Sequence, residues 1–184
     1  MQKKLRLILL VLVLVLVLGG AYAGYHALRD KIGVPTAPAQ ISESFTDCTV
    51  YDAQGEPFAL SSLLGKPVLL NFWATWCPYC VEEFPDLQRL YETYGEKVNF
   101  LMANYTDGAR ETVETAGAFI AENGYTFPVC FDKDSSALEA YLVYSFPTTV
   151  FLAPDGTVVY RQSGAMTDAA AEAQILALLG ESTS

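Results

Sequence analysis

Two cysteines separated by two residues, Cys77-Pro78-Tyr79-Cys80, are the residues whose type and spacing most directly imply chemistry. Thiols this close form a disulfide ring that can open and close again, so the pair suits thiol-disulfide exchange. The motif follows an apolar run at residues 67 to 73 (PVLLNFW) and precedes Val81, Phe84, Leu87, Leu90, Tyr91 and Tyr94, which recur at helical spacing. A strand feeding a helix puts Cys77 at the helix start, where unpaired N–H groups and the positive dipole end pull a thiol pKa below about 8.5. Cys77 is then the attacking sulfur. Cys80, about one turn inside the helix, resolves a mixed disulfide formed at Cys77.

A lone pair of this kind also occurs as half a zinc site, as part of a haem attachment motif or as a structural staple. Haem attachment fails because residue 81 is Val where His is required. Zinc would need two further ligands, and Cys48 and Cys130 stand singly on predicted strands without knuckle spacing. No metal and no cofactor are expected. The single histidine, His26, lies at the predicted membrane boundary, so no His-dependent catalysis is available. The Pro-x-x-x-Thr/Ser-x-x-Cys arrangement of a thiol peroxidase is missing around Cys77.

Stepwise alternation of short apolar runs with longer helical ones predicts an α/β domain. Residues 48 to 51 and 57 to 60 form a predicted hairpin around Gly55, and 67 to 73 a central strand buried on both faces. A helix is predicted from Pro78 to Tyr94, kinked at Pro85, then a strand at 98 to 103, a helix at 110 to 123 and a strand at 127 to 131. A short helix near 136 to 142, a hairpin of 148 to 152 with 157 to 160, and a helix at 167 to 179 complete the pattern.

The chain has 184 residues, enough for one ordinary domain and a short appendage. Its net charge is −10, and from residue 33 onward six basic residues face twenty acidic ones, a balance of −14. Such a surface repels phosphates and excludes a nucleic-acid partner. Residues 7 to 28 carry no Asp, Glu, Lys or Arg, a stretch long enough to cross a bilayer, and Lys3, Lys4 and Arg6 keep its start in the cytoplasm. Residues 1 to 28 are therefore expected to be a membrane anchor. A signal peptide cleaved after Ala23 is the alternative, since Ala21-Tyr22-Ala23 fits an A-x-A site. Residues 29 to 44 read as a tether, and residues 45 to 184 as the exported domain.

The segments LSSLLGKPVLLNFWATWCPYC, VEEFPDLQRLY, ENGYTFPVCFD and SFPTTVFLAPDG resemble the membrane-anchored TlpA/ResA-like thiol-disulfide oxidoreductases of the thioredoxin superfamily. The resemblance covers about residues 45 to 180 and implies a thioredoxin-like fold with an N-terminal β-hairpin and an inserted helix and strand, preceded by one transmembrane helix. It implies that Pro147 follows a cis bond and lies against the dithiol, joining Cys77 and Cys80 as catalytic residues. Trp76, Pro78, Tyr79, Phe146 and Thr148, which flank these positions, are the substrate-binding candidates. Thioredoxin carries a buried Asp six residues before its first Cys; this chain has Asn71 there. Asp107 is the candidate for proton transfer, with Glu82 and Glu83 read as a solvated first turn. The resemblance also suggests a structural disulfide between Cys48 and Cys130, two buried free thiols being the other reading.

These readings lead to a bacterial enzyme, single-pass in the cell membrane with its catalytic domain outside. It is expected to act as a monomer that reduces disulfides in exported proteins, for cytochrome c maturation or repair of oxidised proteins. Its electrons would come from a transmembrane thiol donor. A DsbA-like thiol oxidase, or a binding module with structural cysteines, are the competing functions.

Overall fold

The computed structural model describes residues 6, 13–20, 22, 24 and 45–181. The chain divides into two units, Met1–Ala39 and Gln40–Ser184. Residues 13–20 are helical, and among the described residues no helix is long and apolar enough to cross a membrane. Much of the expected anchor at 1 to 28, and all of the expected tether at 29 to 44, lie outside the described residues.

In the second unit the elements run β1 (Thr49–Tyr51), β2 (Pro57–Ala59), a 3-10 turn (Leu60–Leu63), β3 (Val68–Trp73), α1 (Pro78–Tyr94), β4 (Asn99–Tyr105) and α2 (Val113–Glu122). They continue with β5 (Val129–Asp132), α3 (Ser136–Ala140), β6 (Thr148–Leu152), β7 (Val158–Ser163) and α4 (Asp168–Leu179). Seven strands form one sheet in the order β2-β1-β5-β4-β3-β6-β7. Strands β3, β4 and β5 are parallel, while β6, β7 and β1 join antiparallel.

The apolar runs become central strands because every residue of β3 and of β6 is buried. Side-chain alternation divides β3 between two cores. Leu69 and Trp73 meet Phe84, Leu87 and Leu90 of α1, Ala116 of α2 and Ile175 of α4. Val68, Leu70 and Phe72 meet Ala137 of α3 with Leu60 and Tyr141. Trp73 packs edge-on against Phe84 at 4.8 Å, the kind of contact that adds about 1 kcal/mol to the burial itself. Helices α1 and α4 are further tied by the Arg89–Asp168 ion pair and by the Tyr94 hydroxyl donating to Glu172 at 2.7 Å.

Most predicted elements recur within a few residues. The 3-10 turn was not expected, and β4 and β7 extend further than their apolar runs. Their last residues, Asn104 and Tyr105 in β4 and Gln162 and Ser163 in β7, are polar or half-exposed, so pairing rather than hydrophobicity carries these ends. Helix α1 continues through Pro85. Gly55 has φ +86°, as the β1–β2 turn requires.

Candidate active site

At the end of β3 the chain turns so that Cys77 becomes the N-cap of α1, with Pro78 in the first turn where no N–H is needed. Cys77 and Cys80 are joined as a disulfide, their Cα atoms 5.3 Å apart. The Cys80 backbone N–H donates to Cys77 Sγ at 3.2 Å. That donor, with the helix dipole behind it, stabilises negative charge on Cys77 once the bond is reduced. Cys77 is 4% exposed and Cys80 is fully buried, so only the first sulfur presents any surface. Pro78 and Tyr79 are exposed beside it.

An aromatic shelf adjoins the dithiol. Half-buried Trp76 meets Phe146 edge-on at 5.7 Å, and Phe146 stacks on Tyr105 at 5.6 Å. The Phe146–Pro147 bond is cis. The guanidinium of Arg110 lies 3.7 Å from the centroid of the Trp76 ring, a cation–π contact. Thr148 differs from its expected substrate-binding role. Its side chain is buried and its hydroxyl donates to the Ser145 carbonyl at 2.8 Å, so it braces the loop before β6.

Carboxylates occupy positions that the sequence did not reveal. Asp107 is exposed, and its Oδ1 accepts the backbone N–H groups of Ala109, Arg110 and Glu111 at 2.7 to 2.9 Å. These bonds hold its carboxyl below the usual range, the opposite of what a proton acceptor near neutrality needs. Asp107 instead shapes the loop that delivers the next two side chains. One is Arg110, on Trp76. The other is Glu111, fully buried, whose Oε1 accepts from the Thr75 N–H at 2.9 Å and Asn104 Nδ2 at 2.7 Å, while Oε2 accepts from the Thr75 hydroxyl at 2.6 Å.

Glu83 is also buried, at 6% exposure, although its neighbour Glu82 is exposed. Asn71 Nδ2 donates to Glu83 Oε1 at 2.8 Å, and the Met166 N–H donates to Oε2 at 3.2 Å. Desolvation outweighs these donors and pushes the Glu83 carboxyl up to about 7. It lies three residues after Cys80, on the same buried stripe of α1 as Phe84, Leu87 and Leu90. Helical phase was the signal available in the sequence.

Replacing Glu111 with Ala strands three donors around Thr75, so the oxidised protein is expected to lose about 3 kcal/mol of stability in urea unfolding. Glu111→Gln is expected to lose about 1 kcal/mol, because its carbonyl still accepts and its amide can donate to the Thr75 hydroxyl. Equal losses in the two variants would show that these bonds do not hold the loop.

Cys48 and Cys130 are free thiols rather than a disulfide. Cys48 precedes β1 and Cys130 lies within β5, and the register pair of these strands, Tyr51↔Phe131, does not set the two cysteines opposite each other. Burial pushes the Cys48 thiol up to about 12 and Cys130 well above its ordinary value, which leaves both protonated and unreactive. Among the described residues no group of His, Cys, Asp or Glu is arranged to hold a metal.

The AhpC/TSA family pattern matches residues 41–161. Thiol-disulfide oxidoreductase ResA of Halalkalibacterium halodurans is 34% identical over 131 residues, covering 71% of this chain and 72% of that protein. The ResA of Oceanobacillus iheyensis is 41% identical over 128 residues, covering 70% of this chain and 61% of its own. Among solved structures, the pneumococcal exposed lipoprotein thioredoxin of Streptococcus pneumoniae aligns with a TM-score of 0.62 and 28% identity, over 73% of this chain and 99% of its own.

Proposed function

This chain belongs to the AhpC/TSA family and is a thioredoxin-like thiol-disulfide oxidoreductase similar to ResA, and on that premise we propose that it reduces disulfides in exported proteins. Cys77 attacks the substrate disulfide, and Cys80 resolves the mixed disulfide. Glu83, near its own midpoint at neutral pH and one turn from Cys80, takes the Cys80 proton as that sulfur is activated. Residues 1 to 28 tether the domain to the outer face of a bacterial cell membrane. A transmembrane thiol donor restores the dithiol, and the reducing power serves cytochrome c maturation or repair of oxidised proteins.

The observation that supports the reducing direction is that two buried carboxylates belong to the segments that carry the dithiol, Glu83 three residues after Cys80 in α1 and Glu111 bound to Thr75, two residues before Cys77. A strong oxidant of the DsbA kind requires a strongly stabilised thiolate. Buried acidic groups work against one, and the guanidinium of Arg110 lies on exposed ground over Trp76, where water screens it. The reduction potential in glutathione or dithiothreitol buffers, followed by tryptophan fluorescence, tests this. A value at or below about −270 mV fits a reductase, and one near −120 mV assigns the chain to oxidation instead. Absence of a reversible transition would leave a binding module.

A further inference from the structure

Within residues 45–181 the large apolar side chains left exposed are Tyr79, Leu142 and Tyr144, at 62%, 55% and 88%. Tyr79 is inside the dithiol motif, and the other two lie in the loop that leads to Phe146 and Pro147. Leu142 has φ +48°, a conformation that glycine or asparagine adopts at lower cost. Folding alone gains nothing from a solvent-exposed leucine there. Leu142 and Tyr144 line a groove of about 300 Å³ together with Tyr105, Leu138, Glu139 and Val143. Tyr105 is also the outer ring of the Trp76–Phe146–Tyr105 shelf, so the groove continues the surface beside Cys77.

Resting on the thiol-exchange reading above, we propose that this groove binds the substrate polypeptide itself, as an extended apolar segment free of acidic residues. Thiol exchange brings a polypeptide over Cys77, and a chain continuing along the shelf enters the groove next. The two ring-to-ring steps of 5.7 and 5.6 Å plus the groove correspond to about three to five extended residues from the reacting cysteine. The charged side chain lining the groove is Glu139, and the chain beyond residue 33 has a balance of −14. That charge disfavours an acidic segment, a second copy of this chain or an anionic lipid surface, and favours apolar residues mixed with basic ones.

The test compares two peptides, each with one cysteine held as a mixed disulfide with glutathione. One carries Trp, Leu and Lys three to five residues from the cysteine; the other carries Ser and Glu there. The reduced full-length chain is expected to react about tenfold faster with the first peptide. Leu142→Asn with Tyr144→Ser, which suits the backbone at residue 142, is expected to erase that preference and leave the rate with glutathione disulfide unchanged. Glu139→Lys alone is expected to lower the gain from the basic residue. Equal rates for both peptides in the native chain, or a preference that survives these substitutions, would overturn the proposal. So would a dimer in sedimentation that the same substitutions abolish, since the groove would then belong to a second copy. A native chain inert even to glutathione disulfide would instead sink the exchange reading beneath it.

Discussion

A Cys77→Ser chain is expected to lose disulfide exchange at least a thousandfold, on the order of the losses seen when an enzyme's nucleophile is removed, whereas Cys80→Ser stops halfway, covalently joined to its substrate. The asymmetry follows from the turn at the end of β3. Cys77 caps α1, receives the Cys80 N–H and has some exposed surface, while Cys80 has none. In the forward step the Cys77 thiolate bonds one sulfur of the substrate disulfide and the other leaves as a thiolate. Cys80 then bonds Cys77, releasing the second substrate thiolate, so two electrons pass to the substrate. Without Cys80 the second step has no internal nucleophile. Non-reducing electrophoresis or mass spectrometry of Cys80→Ser mixed with a disulfide protein reads the trapped complex directly. Trapping by Cys77→Ser in place of Cys80→Ser would reverse the assignment of the two sulfurs, and equal trapping by both would remove the asymmetry.

The second large effect is on pH dependence. Glu83 titrates near 4.5 when unfolded and at about 7 in the fold, chiefly because burial penalises its charge. Between these values the folded protein binds the extra proton, so this group's contribution to stability is full below pH 4.5 and declines as pH rises to about 7. The decline amounts to about 3 kcal/mol for a shift of this size. Glu83→Gln keeps an acceptor for Asn71 and cannot ionise. The oxidised variant is therefore expected to match the native chain near pH 4 and exceed it by about 3 kcal/mol at pH 9 in denaturant unfolding. Its reaction rate should also lose the inflection near pH 7 that a proton acceptor with this midpoint confers. If the two stability curves run parallel from pH 4 to 9, Glu83 does not titrate in this range.

Most of the architecture was legible because the apolar runs alternate with helical periods and the dithiol sits where one becomes the other. The two influential carboxylates were harder. Glu82 and Glu83 read together as a solvated acidic first turn, but only Glu82 is exposed. The phase set by Cys80, Phe84 and Leu87 carries Glu83 inward to Asn71. Glu111 fell inside the helix predicted at 110 to 123, which in the fold begins only at Val113 and leaves Glu111 in the loop before it. Its burial follows from two distant partners, Thr75 and Asn104, that the fold brings together. Asp107 looked suitable as the loop's acid, yet one oxygen is committed to three N–H groups of its own turn. The Cys48–Cys130 pairing failed on register, which sequence fixes only weakly for a three-residue strand.

The two edges of the sheet are fastened unequally. Strand β7 is laced to β6 over five register pairs, whereas the hairpin of β1 and β2 meets β5 through the single pair Tyr51↔Phe131, aided by the Ser136 hydroxyl on the Thr49 carbonyl. An edge held this lightly opens alone, at a free-energy cost well below that of global unfolding. Amide protons of β1 therefore exchange with solvent long before those of β3 and β4. Cys130, sealed beneath that edge, becomes reachable by a thiol reagent through the same opening, at a pace set by the breathing of the hairpin and not by the chemistry of its sulfur.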